Sequence, residues 1–180
     1  MLKSKSRLRD MRVYSSAVTD INHAGLIAEV QHALTKWGGG PGCVLIGGLA
    51  LSFYCSPRYT QDVALLFLQE SKIPDSHPGF KKLRSHSFQE TDTHVEVETL
   101  SPEYLNLPAG LAAKVFATAV KHGDWLVASR EGLIALKLQR AILQDLADIE
   151  GLMLPSTNMD GWHLTTQQLA TFQSVKENKN

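Results

Sequence analysis

The chain has few cysteines, no excess of either charge and no long apolar run, and each shortage excludes a class of protein. Two cysteines, Cys43 and Cys55, cannot form a disulfide scaffold and match no zinc-binding spacing, so we expect reduced thiols and a cytoplasmic protein. Eighteen Lys plus Arg balance eighteen Asp plus Glu, which removes the positive field of a strong non-specific nucleic-acid binder. No apolar run approaches the roughly 20 residues that cross a bilayer, so no membrane partner is expected.

The remaining composition fits one folded domain with short appendages. A hydrophobic content of 43% supplies a core, and a length of 180 residues leaves little room for a second complete fold. Residues 1–19 form a basic N-terminal arm, whose arginines, serines and scarce acids are also typical of a mitochondrial transit peptide. We expect the main domain at residues 20–154, and at residues 155–180 a C-terminal helix and tail packed on that domain.

Hydrophobic periodicity predicts an α/β fold of the α+β kind, with a mixed sheet flanked by helices and a helical C-terminal part. Glycines and prolines mark most of the boundaries between elements, and Ser129 is a suitable helix N-cap. Residues 111–120 fit either a helix or a strand. The other predicted elements are helices at 20–37, 49–54, 81–84, 129–153 and 165–175, and strands at 43–46, 63–68, 94–98 and 125–128.

Several familiar motifs fail on inspection. Gly42 and Gly47 have the spacing of a P-loop, but Gly48 and Leu49 stand where the lysine and the hydroxyl residue must be. No dinucleotide-binding glycine pattern and no G-x-S-x-G nucleophile turn is present. His77, His86 and His94 have no paired spacing or cysteine partners, so we interpret them as loop and surface histidines rather than metal ligands.

One constellation remains after these exclusions. A buried strand runs into Gly47-Gly48, and the next strand opens with Arg58-x-Thr60-x-Asp62-Val63-Ala64. Glu96 and Glu98 alternate on a later strand, so they share one face, as do positions 62 and 64. Carboxylates spaced in this way suit magnesium, which prefers hard oxygen ligands, and paired glycines let a phosphate chain approach the backbone.

These residues, with the run from Glu131 to Leu138 and the later Asp145 and Asp148, resemble the nucleotidyltransferase-fold superfamily that includes DNA polymerase beta. The closest resemblance is to the bacterial branch of antibiotic nucleotidyltransferases and abortive-infection toxins, and it covers roughly residues 43 to 154. It implies Mg²⁺ and a nucleoside triphosphate as cofactors and transfer of a nucleoside monophosphate to an unknown acceptor. By this resemblance the catalytic residues are Asp62 and Glu98, the metal ligands are Asp62, Glu96 and Glu98, and the cofactor-binding residues are Gly47, Gly48, Arg58, Thr60 and Lys137.

The main departure from the family pattern is Ala64, which stands where the family has a second aspartate. Loss of a metal ligand implies a rate lowered on the order of a hundred-fold or more. Three explanations stay open: a natural pseudoenzyme, an introduced change, or a metal site rescued by Glu96 and Glu98 together. The alternative function is a catalytically inactive relative that acts as a nucleotide-binding, regulatory or toxin–antitoxin-type module with a protein partner.

Overall fold

The computed structural model describes residues 28–40, 42–56 and 60–179. The predicted basic arm at residues 1–19 and Arg58 lie outside this part of the chain, as does the predicted helical start at residue 20. None of the helices in the described part is both long and apolar enough to pass through a membrane. The division into an arm, a main domain and a C-terminal tail therefore stays a prediction.

The described residues form six α-helices and seven strands, as the predicted fold class requires. The helices are α1 (Ala28–Trp37), α2 (Gly47–Leu51), α3 (Leu111–Thr118), α4 (Arg130–Leu138), α5 (Leu143–Leu152) and α6 (Thr166–Lys179), and a 3-10 turn spans Glu70–Lys72. The strands are β1 (Cys43–Ile46), β2 (Asp62–Phe67), β3 (Phe80–Arg84), β4 (Ser87–Glu90), β5 (Glu96–Leu100), β6 (Val120–His122) and β7 (Trp125–Val127).

All seven strands belong to one mixed sheet with the order β3-β4-β5-β2-β1-β7-β6. Strand β2 runs parallel to β5 and β1 parallel to β7, whereas the other neighbours are antiparallel. The central strands β1 and β2 are buried almost throughout, as their continuous apolar runs require. The sheet therefore fixes the backbone of both strands that begin or end at the predicted site.

Local signals explain several of the boundaries. Gly38 ends α1 in the left-handed conformation at φ 81°, which a residue with a Cβ adopts only at a cost. The Ser129 hydroxyl accepts a hydrogen bond from the Gly132 amide at 3.1 Å, so the predicted N-cap of α4 is confirmed. Trp37, Trp125 and Trp162 are buried in the core.

The predicted helix at residues 81–84 is wrong, because these residues form the edge strand β3. Strand β3 pairs with β4 in an antiparallel hairpin, and four of its five residues are exposed. Its mostly polar sequence carries no strong period-two pattern, so backbone pairing with β4 decides the structure. The next predicted strand is also displaced: His94 has a φ of 62° in the preceding turn, and β5 begins only at Glu96.

Three of the predicted helices have different bounds in the structure, and one of them, predicted at 165–175, is α6 at Thr166–Lys179. The helix expected at 129–153 divides into α4 and α5, because Ala141 adopts a φ of 50° and Ile142 is extended. The helix expected at 49–54 starts at Gly47 and ends at Leu51, with turns after it. The ambiguous segment 111–120 is mostly helix α3, and its last residue opens the short strand β6.

Candidate functional site

A cleft of about 420 Å³ opens where β1 turns into α2, beside the first half of β2. One wall comes from the sheet and its turns, and the opposite wall comes from α4 and the segment that follows it. Leucines of the 100–107 segment and of α4 add an apolar lining. The polar and glycine residues at the cleft are Gly47, Gly48, Asp62, Glu98, Lys137, Gln139, Arg140 and Asp145.

The register of β2 and β5 brings two of the predicted carboxylates to this cleft. Asp62 pairs with Glu96 and Ala64 pairs with Glu98 along the two parallel strands. Because side chains two residues apart point to the same face, these four positions share one side of the sheet. Asp62 is exposed at the start of β2, and the Thr60 hydroxyl donates a hydrogen bond to its Oδ1 at 3.1 Å. Thr60 therefore orients Asp62 rather than lining the cleft.

Glu98 and Glu96 face different neighbours despite their alternation. Glu98 lines the cleft, whereas Glu96 accepts a hydrogen bond from the Ser87 hydroxyl and lines an adjoining cavity of about 260 Å³. Burial raises the pKa of Glu98 above its ordinary value, and the carboxylates of Asp62 and Glu96 raise it further, against a lowering effect of Arg140. The negative charge at Glu98 is thus incompletely neutralised by the protein.

Gly47 allows the close approach of β1 and β2 at the floor of the cleft. Its φ of +73° is left-handed, and a Cβ built at this position would lie 3.1 Å from the Cβ of Ala64. Any other residue at position 47 would be strained and would press on Ala64. The glycine pair predicted from the sequence therefore has a structural reason at Gly47, independent of any ligand.

Lys137 reaches the cleft, but its charge is already paired. The Nζ atom lies 2.6 Å from Asp148 Oδ2 and 3.4 Å from Asp145 Oδ1, and all three side chains are buried. Asp145 also accepts hydrogen bonds from Arg140, at 2.8 Å from Nε and 2.9 Å from Nη2. Burial would raise the pKa of Asp145, but the hydrogen bond from Arg140 and the charge of Lys137 hold it below its ordinary value.

Arg140 and Gln139 line the cleft although the sequence motif indicates neither, and Arg140 is the one of the two that carries a charge. Its side chain is 67% exposed although Asp145 holds one edge of the guanidinium. An exposed guanidinium fixed in this way can offer its remaining N–H groups to an anion. The signal was its position three residues after Lys137, which places both on one side of a helical turn.

The structure therefore brings five of the predicted site residues together: Gly47, Gly48, Asp62, Glu98 and Lys137. Glu96 lies in the adjoining cavity, Thr60 contacts Asp62 from outside the cleft, and Arg58 falls outside the described residues. No protein-family model and no curated protein sequence matches the chain. The roles of these residues stay predictions that rest on the motif order and on the geometry of the cleft.

The donor set of the cleft fits a divalent cation, with one ligand fewer than the family pattern. Asp62 and Glu98 offer hard carboxylate oxygens of the kind that Mg²⁺ prefers, and the raised pKa of Glu98 is consistent with a place where added positive charge is favourable. Ala64 offers no oxygen, although its position lies between these two side chains on the same face.

A second group of possible metal ligands lies outside the cleft lining. Atoms of His32, Glu90 and Asp92 approach within 4.8 Å of one another. The Lys36 ammonium already contacts Glu90 and lies 2.8 Å from Asp92 Oδ2. Glu90 is fully buried and also accepts hydrogen bonds from the Thr93 amide and hydroxyl, each at 2.7 Å. Lysine supplies the positive charge here, so we interpret this cluster as a structural ion pair.

Proposed function

We propose that the chain is a nucleotidyltransferase-like protein whose cleft binds a nucleoside triphosphate with Mg²⁺. The observation that carries the proposal is the meeting of Asp62 and Glu98 on neighbouring parallel strands, opposite the exposed guanidinium of Arg140 and next to Gly47-Gly48. Transfer of a nucleoside monophosphate to an unknown acceptor is the activity that this arrangement would serve. Ala64 lowers its rate.

Each side chain then has a separate task. Asp62 and Glu98 would hold the cation, which supplies neutralisation of the phosphate charge. Gly47 and Gly48 leave the backbone open to the phosphates, because neither carries a side chain. Arg140 offers guanidinium N–H groups to the phosphates, whereas Lys137 acts through Asp145 by holding that carboxylate in place.

The second candidate function is a catalytically inactive relative that binds a nucleotide or a protein partner. The observation that favours it is Ala64, which is 8% exposed on the same face as Asp62 and Glu98 and leaves two carboxylates on the sheet wall of the cleft. Glu96 is engaged by Ser87 and does not take its place. A partner of the toxin–antitoxin type comes from the family resemblance alone, and a cytoplasmic location comes from the two cysteines, which we interpret as reduced thiols.

One set of variants tests both functions. We would measure Mg²⁺-dependent binding of the four nucleoside triphosphates by calorimetry, and turnover by release of pyrophosphate, for the protein and for Ala64→Asp. Ala64→Asn is the matched control, since the asparagine side chain has the shape of aspartate without its charge. We expect binding by the protein, and turnover raised on the order of a hundred-fold in Ala64→Asp but not in Ala64→Asn.

The outcomes separate the two candidates. If all forms bind nucleoside triphosphate and only Ala64→Asp shows turnover, the protein with Ala64 binds nucleotide without catalysing transfer. Binding that survives Asp62→Asn unchanged would place the nucleotide elsewhere. Absence of binding by both the protein and Ala64→Asp would refute the nucleotide proposal altogether.

A further inference from the structure

The adjoining cavity of about 260 Å³ shares two walls with the cleft, Glu98 and Leu100. Its remaining walls are the β3–β4 turn at residues 84–87, Glu96 and Tyr104. A molecule in this cavity would therefore meet a ligand of the cleft across Glu98. The volume lies below the roughly 300–1,000 Å³ of sites that enclose a drug-sized molecule, so it suits one ring with a short substituent.

An aromatic surface forms one side of this cavity. Tyr104 is 58% exposed, and its ring packs against His86 at an interplanar angle of 31°, with 4.0 Å between the ring centroids. His86 is itself held, because its Nδ1 lies 2.9 Å from the Thr99 carbonyl oxygen. The Tyr104 amide donates to Ser101 Oγ at 3.1 Å, which fixes the turn that carries the ring. Tyr104 is thus a supported and exposed stacking surface.

The charge of the cavity favours a cationic ligand. Glu96 and Glu98 are half-buried in its wall, and Arg84 is the one described residue of the lining with a permanent positive charge. Ser87 donates a hydrogen bond to Glu96 and so fixes the direction of that carboxylate. A phosphodiester chain would face two carboxylates here, whereas an ammonium group would pair with Glu96 and would also be attracted by the Tyr104 ring.

We propose that this cavity is the acceptor subsite and takes a small molecule whose ring stacks on Tyr104 and whose ammonium group pairs with Glu96. The inference rests on the proposed function. In the transfer, an acceptor hydroxyl oxygen bonds to the α-phosphorus while the bond from that phosphorus to the bridging oxygen of the β-phosphate breaks. Pyrophosphate leaves, and the hydroxyl proton is released to water.

Two probes of the same ring and opposite charge test the ligand class. We would titrate tyramine and 4-hydroxyphenylacetate into the ¹⁵N-labelled protein and follow amide chemical shifts. Tyramine should shift the signals of residues 84–87 and Tyr104, and 4-hydroxyphenylacetate should bind at least about fivefold more weakly, because carboxylates would face a carboxylate. Tyr104→Leu and Glu96→Gln should each lower the affinity for tyramine at least about threefold. Lys121→Gln, on strand β6 at the opposite edge of the sheet from β3, should leave the affinity of the protein for tyramine unchanged.

Equal affinity for the two probes would overturn the proposal, as would shifts confined to another surface or unchanged binding by Tyr104→Leu. Nucleoside triphosphate binding is measured separately, so the two proposals can fail separately. Nucleotide binding without tyramine binding refutes the acceptor subsite but does not refute the proposed function. If no nucleotide binds, the acceptor role fails with the proposed function, even where tyramine binds to the cavity.

Discussion

Replacement of Lys137 by methionine separates a structural role from a direct phosphate contact. The Lys137, Asp145 and Asp148 side chains are 8%, 2% and 5% exposed, so the ion pairs between α4 and α5 are buried. Removal of one partner of a buried pair costs about 3–5 kcal/mol, since a charge stays behind without compensation. Asp145 keeps Arg140, and Asp148 keeps a hydrogen bond from Gln144 at 3.2 Å. We therefore expect the lower end of that range, about 3 kcal/mol.

The measurement is urea unfolding followed by circular dichroism, with thermal unfolding beside it. A chain of this size loses about 2–4 °C in Tm per kcal/mol, so Lys137→Met should lower Tm by about 6–12 °C. The double variant Lys137→Met with Asp148→Leu should lose at least about 1 kcal/mol less than the sum of the two single variants. Lys121→Met is the control: Lys121 is exposed on β6, and its replacement should change stability by less than about 0.5 kcal/mol.

One outcome would refute this interpretation of Lys137. If Lys137→Met unfolds within about 1 kcal/mol of the parent while its affinity for Mg²⁺ and nucleoside triphosphate falls, the ammonium serves the ligand rather than the joint between α4 and α5. Additive losses in the double variant would likewise show that Lys137 and Asp148 do not depend on each other.

Two carboxylates should respond to pH in opposite directions. The pKa of Glu98 is raised in the folded protein, chiefly by burial, so its ionised form destabilises the fold above that pKa. Glu98→Gln should raise Tm at pH 7, and the gain should vanish below about pH 4, where the carboxyl is also protonated in the unfolded state. An equal gain in Tm at both pH values would contradict the raised pKa of Glu98. Burial would raise the pKa of Glu90, but hydrogen bonds from Lys36 and Thr93 hold it well below its ordinary value, so Glu90 stabilises the fold above about pH 4.3. Glu90→Gln should unfold at lower Tm than the parent at pH 7, and the parent should lose this advantage as the pH falls through the folded pKa of Glu90; a constant difference from pH 7 to pH 2 would refute it.

The sequence predicts best those elements whose residues carry their own signal. The apolar run of β1 is bounded by glycines, and Ser129 offers a hydroxyl to the first turn of α4. Strand β3 has no such signal, because Lys81, Lys82 and Arg84 are exposed and only their pairing with β4 makes them a strand. The break between α4 and α5 is equally invisible, since the residue in the left-handed conformation there is an alanine.

The candidate site also has features that the sequence predicts and features that it does not. Alternation within β2 and β5 predicts which carboxylates share a face, and the parallel register of the two strands makes Asp62 and Glu98 near neighbours. The state of Lys137 could not be predicted, because it depends on how α5 folds back to place Asp145 and Asp148 against α4. The same fold-back fixes Arg140, so the exposed cation of the cleft differs from the one that the motif indicated.

The geometry also bears on the three explanations for Ala64. Rescue by Glu96 and Glu98 together would require Glu96 to leave Ser87 and turn from the adjoining cavity into the cleft. Ala64 lies beside Glu98 on β5 and lines the cleft, so a carboxylate at position 64 would share a face with Asp62 and Glu98. The acids that the sheet contributes to the cleft are Asp62 and Glu98, and the remaining acid of the lining, Asp145, is held by Lys137 and Arg140. Under the proposed function, this arrangement corresponds to a cleft that keeps its nucleotide site and has lost most of its transfer activity.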